Sequence, residues 1–272
     1  MDILNKIIDY KRTEVAQRKA LVPIKKLEQS IYFRAPCISM KRYLQRPDKS
    51  GIIAEFKRKS PSKGDINPYV SVEKVTIGYM QAGASALSVL TDTHFFNGKN
   101  EDLLEARKYN FCPILRKDFV IDEYQIIEAR SIGADVVLLI AECLDRGRIK
   151  DLAKQAKMLG MEVLLEVHSA DQLGKVNEYI DLVGVNNRNL NDFSVDIQTS
   201  INLFAEIPND FVKISESGIN DPNVIVKLKE VGFQGFLIGE YFMKADEPHK
   251  RCANFITRIQ EMEETLKNGI AG

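Results

Sequence analysis

Nothing in this 272-residue sequence carries a surplus of charge. Lysine plus arginine and aspartate plus glutamate each number 38, so no net field draws the chain toward nucleic acid or a membrane surface. Cysteine is scarce: Cys37, Cys112, Cys143 and Cys252 are widely spaced and form no C-x-x-C. That excludes a disulfide framework and fits reduced, mostly structural thiols. The three histidines, His94, His168 and His249, lie far apart and show no metal-ligand spacing. No apolar run approaches the roughly 20 residues needed to cross a bilayer. Met1 leads into Asp2 and an amphipathic segment, not into a basic stretch followed by an apolar run, so no secretory signal is expected. No G-x-G-x-x-G follows any apolar segment, which removes the dinucleotide fingerprint. A soluble cytoplasmic protein is expected.

What the chain does have is an apolar fraction of 44%, ordinary for a protein with a real core. Its length suits one barrel-sized domain over residues 1–272. Residues 1–50 read as a helical extension: Ile3, Leu4, Ile7, Ile8 and Val15 recur at helical spacing, and Pro23 ends that segment. A short helix over Pro23–Ser30 and a third before Arg46–Ser50 are predicted. From Gly51 the chain alternates. Short apolar segments at Ile52–Phe56, Ala86–Leu90, Cys112–Leu115, Val136–Ile140, Val163–Leu165, Leu182–Val185, Phe211–Ile214 and Phe236–Ile238 predict strands. Between and after them, Val72–Ala82, Glu101–Tyr109, Glu123–Ile132, Ile149–Leu159, Ser169–Glu178, Ile197–Ala205, Pro222–Val231 and Pro248–Lys267 have helical periodicity. Parallel strands need such crossovers. Eight strands and eight helices point to α/β class and a (β/α)8 TIM barrel with an N-terminal helical extension.

A barrel of this kind places its site at the carboxyl ends of the strands, so polar residues should collect there and nowhere else inside. The first strand runs Gly51-Ile-Ile-Ala-Glu-Phe-Lys before the turn residues Ser60-Pro-Ser-Lys-Gly64, with Ile53, Glu55 and Lys57 on one face. The third ends in Arg116-Lys117-Asp118-Phe119, the fifth in Glu166, the sixth in Asn186-Asn-Arg188 and the seventh in Glu216. After the last two strands come Ser217-Gly218 and Gly239-Glu240, where backbone N–H groups could approach a phosphate. Glu240 would donate through its main chain with its carboxylate turned away. Two lysines, three carboxylates, an aromatic ring and an Asn/Arg pair are equipment for general acid–base work on a phosphorylated substrate. Spacing alone does not say which lysine is the acid.

Seven stretches, taken together, resemble indole-3-glycerol phosphate synthases. They are Ile53-Ala-Glu-Phe-Lys-Arg-Lys-Ser-Pro-Ser-Lys-Gly64, Leu87-Ser-Val-Leu-Thr-Asp92, Leu115-Arg-Lys-Asp-Phe119, Leu165-Glu-Val-His168, Gly184-Val-Asn-Asn-Arg-Asn-Leu190, Ser215-Glu-Ser-Gly-Ile219 and Leu237-Ile-Gly-Glu240. The resemblance covers nearly the whole chain, in family order and at family-like spacing. It implies closure of the indole ring of 1-(2-carboxyphenylamino)-1-deoxyribulose 5-phosphate, with loss of carbon dioxide and water and with neither cofactor nor metal. It implies Lys117 as general acid at the ribulose carbonyl and Glu166 as proton acceptor in dehydration. Lys57 would hold the substrate carboxylate or phosphate, or act as an acid in the second stage. Glu55 and Glu216 would position lysines and hydroxyls, Asn186 and Arg188 would complete the polar wall, and Phe119 would pack on the anthranilate ring. Ser60 matches a serine near the substrate, and Ser217, Gly218, Gly239 and Glu240 match the phosphate positions.

Two departures from the family pattern stand out: Phe56 where many members carry a smaller aliphatic residue, and Glu240 where others carry serine. The extension is expected to cap part of the pocket, with no appended isomerase domain. The expected partner is a small phosphorylated molecule, not nucleic acid or membrane. A monomer is expected, with at most weak association with other tryptophan-pathway enzymes. A sister barrel such as phosphoribosylanthranilate isomerase would share the phosphate loops but would leave Glu55, Lys57, Lys117 and Glu166 without a task. A catalytically silent scaffold would have no reason to keep such charges buried.

Overall fold

The computed structural model describes residues 3–189 and 192–270. Met1, Asp2, Leu190 (the last residue of the fifth motif), Asn191, Ala271 and Gly272 lie outside the described residues. Three helices precede the first strand: α1 (Ile3–Leu21), α2 (Ile24–Leu27) and α3 (Met40–Leu44). The barrel strands are β1 (Ile52–Phe56), β2 (Ala86–Leu90), β3 (Ile114–Lys117), β4 (Val136–Ile140), β5 (Glu162–Val167), β6 (Leu182–Asn186), β7 (Val212–Glu216) and β8 (Gly235–Ile238). All pair in parallel, each with its neighbour in sequence, and β8 closes on β1. The crossovers are carried by α4 (Val72–Gln81), α5 (Asn100–Tyr109), α6 (Glu123–Ser131), α7 (Arg146–Met158), α8 (Gln198–Leu203) and α9 (Pro222–Val231). The short α10 (Glu240–Met243) and the long α11 (Pro248–Ile270) follow β8. This is the (β/α)8 barrel that the alternation predicts.

The strands read as they do because both of their faces are buried. Outward residues such as Ile52, Ala54, Phe56, Val137 and Leu139 join the helices in one core. Inward residues Ile53, Leu115, Leu138, Leu164, Leu182, Val212, Ile214 and Leu237 fill the barrel as a second core. Met40 and Leu44 of α3 belong to that inner core and close the amino-terminal end of the barrel. Hydrogen bonds fix them there: Ser39 donates to Glu162, and the backbone N–H groups of Ile38 and Lys41 donate to Asp135 and Glu162. The extension therefore plugs one end of the barrel with α3, while α1 lies toward the other.

Several boundaries shift by one to three residues from expectation, and two differences have a clear local cause. The third strand starts at Ile114, not Cys112, because Pro113 has no N–H to give to a ladder. The predicted helix over Ser169–Glu178 is only a 3₁₀ turn, Ala170–Lys175. Val176 there is extended, and the Asn177 side chain accepts from the Tyr179 N–H, a local bond that competes with helix.

A third difference concerns charge. Buried ionic groups are not confined to the barrel interior. Alternation along β3 turns Arg116 outward, among Thr91, Asn100, the Gln125 carbonyl, Asp118 and Glu128. Beside it Lys11 of α1, itself 2% exposed, lies 2.8 Å from Asp92 and 2.9 Å from Asp118. Asp118 also accepts from Thr91 and from the Phe119 N–H. This network ties the extension to the residues that flank Lys117. Removing one member of a buried ionic set strands the others and costs about 3–5 kcal/mol. Arg116→Met is therefore expected to lower the free energy of urea-induced unfolding by at least about 3 kcal/mol, the cost of leaving Asp118 and Glu128 buried without their shared cation.

Candidate active site

At the carboxyl ends of the strands lies a cavity of about 560 Å³. Every residue given a site role from the sequence lines it: Glu55, Lys57, Ser60, Lys117, Phe119, Glu166, Asn186, Arg188, Glu216, Ser217, Gly218, Gly239 and Glu240. Arg116, although adjacent to Lys117, does not, because it faces the helices.

The centre is Lys117. Its Nζ lies 2.7 Å from Glu166 Oε2 and 2.7 Å from Glu216 Oε2. Period-two alternation produces this meeting, since Lys117 on β3, Glu166 on β5 and Glu216 on β7 each follow an inward residue two positions earlier: Leu115, Leu164 and Ile214. A second pair, Lys57 Nζ to Glu55 Oε1 at 2.7 Å, stands at the end of β1, and Ser88 of β2 donates to the other Glu55 oxygen at 3.2 Å.

The two carboxylates on Lys117 are not equivalent. Glu166 Oε1 accepts from Asn186 at 3.1 Å and faces His168 Nε2 at 3.6 Å. Glu216 Oε1 is buried with no hydrogen-bond partner. Burial pushes both carboxyls up. At Glu166 the attraction of Lys117 and His168 and the donated hydrogen bonds outweigh burial, bringing its pKa down to about 2. At Glu216 burial prevails over Lys117, and repulsion from Glu166 adds to it, so the pKa rises to about 7. Burial also opposes the Lys117 charge, but Glu166, Glu216 and Glu55 outweigh it and hold the ammonium above its ordinary range.

Two inward glycines make room for these carboxylates. A Cβ on Gly184 of β6 would stand 2.2 Å from Glu216 Oε1, and one on Gly239 would stand 2.6 Å from Glu55 Oε1. Gly239 thus serves the Glu55–Lys57 pair as well as the loop after β8. At the far side of the cavity Ser217 adopts φ 69°, an uncommon backbone for a non-glycine residue, at the turn out of β7. Arg188 of the β6 loop lies 3.2 Å from Glu240, whose other oxygen lies 2.6 Å from Lys244 Nζ. The Glu240 carboxylate is therefore not turned away from the site; it bridges two cations lining it. Ser60 sits in a small hairpin pairing Lys59–Ser60 with Gly64–Asp65, and the Phe119 ring packs against Phe96 at 6.0 Å.

Residues 4–255 match the sequence model of the indole-3-glycerol phosphate synthase family. The chain belongs to the indole-3-glycerol phosphate synthase family. A protein of that name from Bacteroides thetaiotaomicron is 50% identical over 259 residues, covering 95% of this chain and 99% of its own length. Another of that name from Polaromonas naphthalenivorans is 41% identical over 251 residues, covering 91% and 95% respectively. Among solved structures, a mutant tryptophan synthase α-subunit from Pyrococcus furiosus superposes with a TM-score of 0.59 at 11% identity, over 79% of this chain and 99% of that one. At that identity the likeness shows the barrel alone.

This member of the indole-3-glycerol phosphate synthase family also builds its cavity from residues that sequence reasoning passed over. Ile3, Leu4 and Ile7 of α1 form an apolar wall, and Phe96, Lys63 and Lys244 line other parts. Ser88 and Gly184 were legible only as ordinary strand residues, since their partners lie on neighbouring strands. The helical stripe of α1 gave a signal for its apolar wall, but not for what it faces. Among the described residues no group of His, Cys, Asp and Glu could hold a metal ion, and no helix is long and apolar enough to cross a membrane.

Gly184→Ala tests the fit between strands. The added methyl group is expected to push Glu216 off Lys117 and to cut turnover by at least tenfold, about 1.4 kcal/mol of barrel-top geometry, while far-ultraviolet circular dichroism stays that of the wild type. Unchanged turnover would mean that the Lys117–Glu216 contact is dispensable.

Proposed function

We propose that this chain converts 1-(2-carboxyphenylamino)-1-deoxyribulose 5-phosphate to indole-3-glycerol phosphate, releasing carbon dioxide and water, by general acid–base catalysis within the barrel cavity. Family membership supplies the reaction. The observation that carries the assignment to residues is the single ammonium of Lys117 held at 2.7 Å by two buried carboxylates of opposite pKa shift.

Lys117 is the acid at the ribulose carbonyl. It donates a proton to the oxygen as the ring carbon bearing the carboxylate attacks, giving a hydroxyl and a new carbon–carbon bond. Loss of carbon dioxide then restores conjugation. Dehydration breaks the carbon–oxygen bond: the hydroxyl leaves as water with a proton donated by Lys57, which solvent then restores, and Glu166 accepts the proton lost from the substrate. Its low pKa belongs to the state in which Lys117 is charged. Once Lys117 has given up its proton, that attraction disappears and Glu166 becomes a stronger base. The proton it accepts can return to Lys117 across their 2.7 Å contact, which resets the pair.

The remaining groups bind and orient. Lys57, held by Glu55, serves an anionic group of the substrate, and Asn186 fixes Glu166 by its 3.1 Å hydrogen bond. Glu216 sets the Lys117 position from the far side. Phe119 and the wall of Ile3, Leu4 and Ile7 offer an apolar surface to the anthranilate ring. Ser60 stands near the same end, and Ser217, Gly218, Gly239 and the Glu240 main chain receive the phosphate.

Indole formation is followed by fluorescence on mixing the protein with the carboxyphenylamino-deoxyribulose phosphate in excess chelator. The chain contains no tryptophan, so the product indole is read against little background. Wild type is expected to give signal, Lys117→Ala to lose at least about a thousandfold and Glu166→Gln about a hundredfold, the range for loss of positioned acids and bases. A folded wild type that binds this compound without making indole would overturn the assignment.

A further inference from the structure

The phosphate end of the cavity already contains an anion. Glu240 opens the turn after β8, in line with Gly239, and its carboxylate uses both oxygens: Oε1 at 2.6 Å from Lys244 Nζ and Oε2 at 3.2 Å from Arg188 Nη2. Arg188 and Lys244 come from different parts of the chain, the loop after β6 and the residue following α10. All three line the same cavity as Ser217, Gly218 and Lys57. The carboxylate is only partly exposed, at 24%. Burial favours its neutral form, but Lys244, Arg188 and the more distant Lys57 outweigh this and hold its pKa below the usual carboxylate range. Its charge is therefore present at neutral pH.

We infer that Glu240 is an internal counter-ion for the phosphate site, a carboxylate that occupies Arg188 and Lys244 until a more highly charged anion displaces it. The inference rests on the reading of this end of the cavity as the phosphate end. Its physical basis is competition. A carboxylate beside a bound phosphate dianion is repelled, and at separations of a few ångströms that repulsion is felt even at a surface-like dielectric. A weak monoanion cannot repay the broken contacts with two cations, whereas a dianion with more acceptor oxygens can. Glu240 thus sets a threshold: it lowers absolute affinity for every anion and raises the preference for a phosphate ester over common monoanions. Occupancy of the site also frees Glu240, which leaves Lys244 able to turn toward the phosphate or to solvent.

The test uses inorganic phosphate as the probe, titrated calorimetrically at fixed ionic strength against wild type, Glu240→Gln and Glu240→Asp. The glutamine keeps shape and removes charge, and is expected to bind phosphate about five- to tenfold more tightly than wild type. The aspartate keeps the charge and is expected to stay within about twofold of wild type. A merely structural role for Glu240, holding Arg188 in place, predicts the reverse: weaker phosphate binding in Glu240→Gln. Weaker or equal binding in the glutamine variant would overturn the inference, as would absence of phosphate binding in both proteins. Indole formation is read separately. Failure of the wild type to form indole, with the phosphate difference intact, would overturn the proposed reaction and uphold the counter-ion. Equal phosphate affinities with turnover intact would overturn the counter-ion alone.

Discussion

One ammonium between two carboxylates organises this molecule. Lys117 is only partly exposed, and a lone charge there would be costly to keep out of water. Glu166 and Glu216 offset that cost from opposite sides, each at 2.7 Å. The arrangement demands three strands in a fixed stagger, since a slip of one residue on β3, β5 or β7 would turn the charge into the helical layer. It also demands Gly184, whose missing side chain is the space that Glu216 occupies. Barrel closure, register and the choice of a glycine on β6 are thus parts of one electrostatic requirement.

The surrounding structure holds this centre from two directions. Below it, Met40 and Leu44 close the barrel with the inward aliphatic residues, so the site stands on a packed floor and not over a channel. Beside it, Lys11 joins Asp118 and Asp92, which fastens α1 to the residue that follows Lys117. The same helix supplies Ile3, Leu4 and Ile7 to the cavity wall. An extension that could be taken for a cover at one end therefore works at both: α3 completes the core, and α1 completes the site.

Much of this was legible from residues alone, and the reasons are physical. Strands buried on both faces read as short apolar runs, as at Val136–Ile140, and a charge following such a run marks its carboxyl end, as Glu216 does after Ile214. Alternation then assigns Glu55, Lys57, Lys117, Glu166 and Glu216 to the inner face without further information. Legibility ended where a residue's meaning depends on another strand. Gly184 has no local signature, because its reason is a glutamate on β7. Ser88 reads as a strand serine until Glu55 is placed beside it. Arg116 was grouped with Lys117 by proximity in sequence, although alternation along β3 sends them to opposite faces. Periodicity after β5 points to a full helix where only a 3₁₀ turn forms, because periodicity does not register the competing Asn177 bond. Glu240 was expected to turn its carboxylate away, since nothing local shows that Arg188 and Lys244 converge on it.

The unequal protonation of the two carboxylates on Lys117 can be measured directly. Carboxyl-carbon nuclear magnetic resonance of glutamate-labelled protein, with Glu166→Gln and Glu216→Gln for assignment, would follow each group with pH. Glu216 should titrate near pH 7 and Glu166 should remain ionised down to about pH 2. The sign also has a consequence for stability. A carboxyl raised from 4.5 to about 7 adds stability below 4.5 and withdraws it as pH rises toward 7, whereas one lowered to about 2 adds stability above 4.5 and loses it as pH falls toward 2. Two midpoints far apart, the upper belonging to Glu216, are the predicted result. Two carboxylates titrating together near 4.5 would contradict the account of how this site is held.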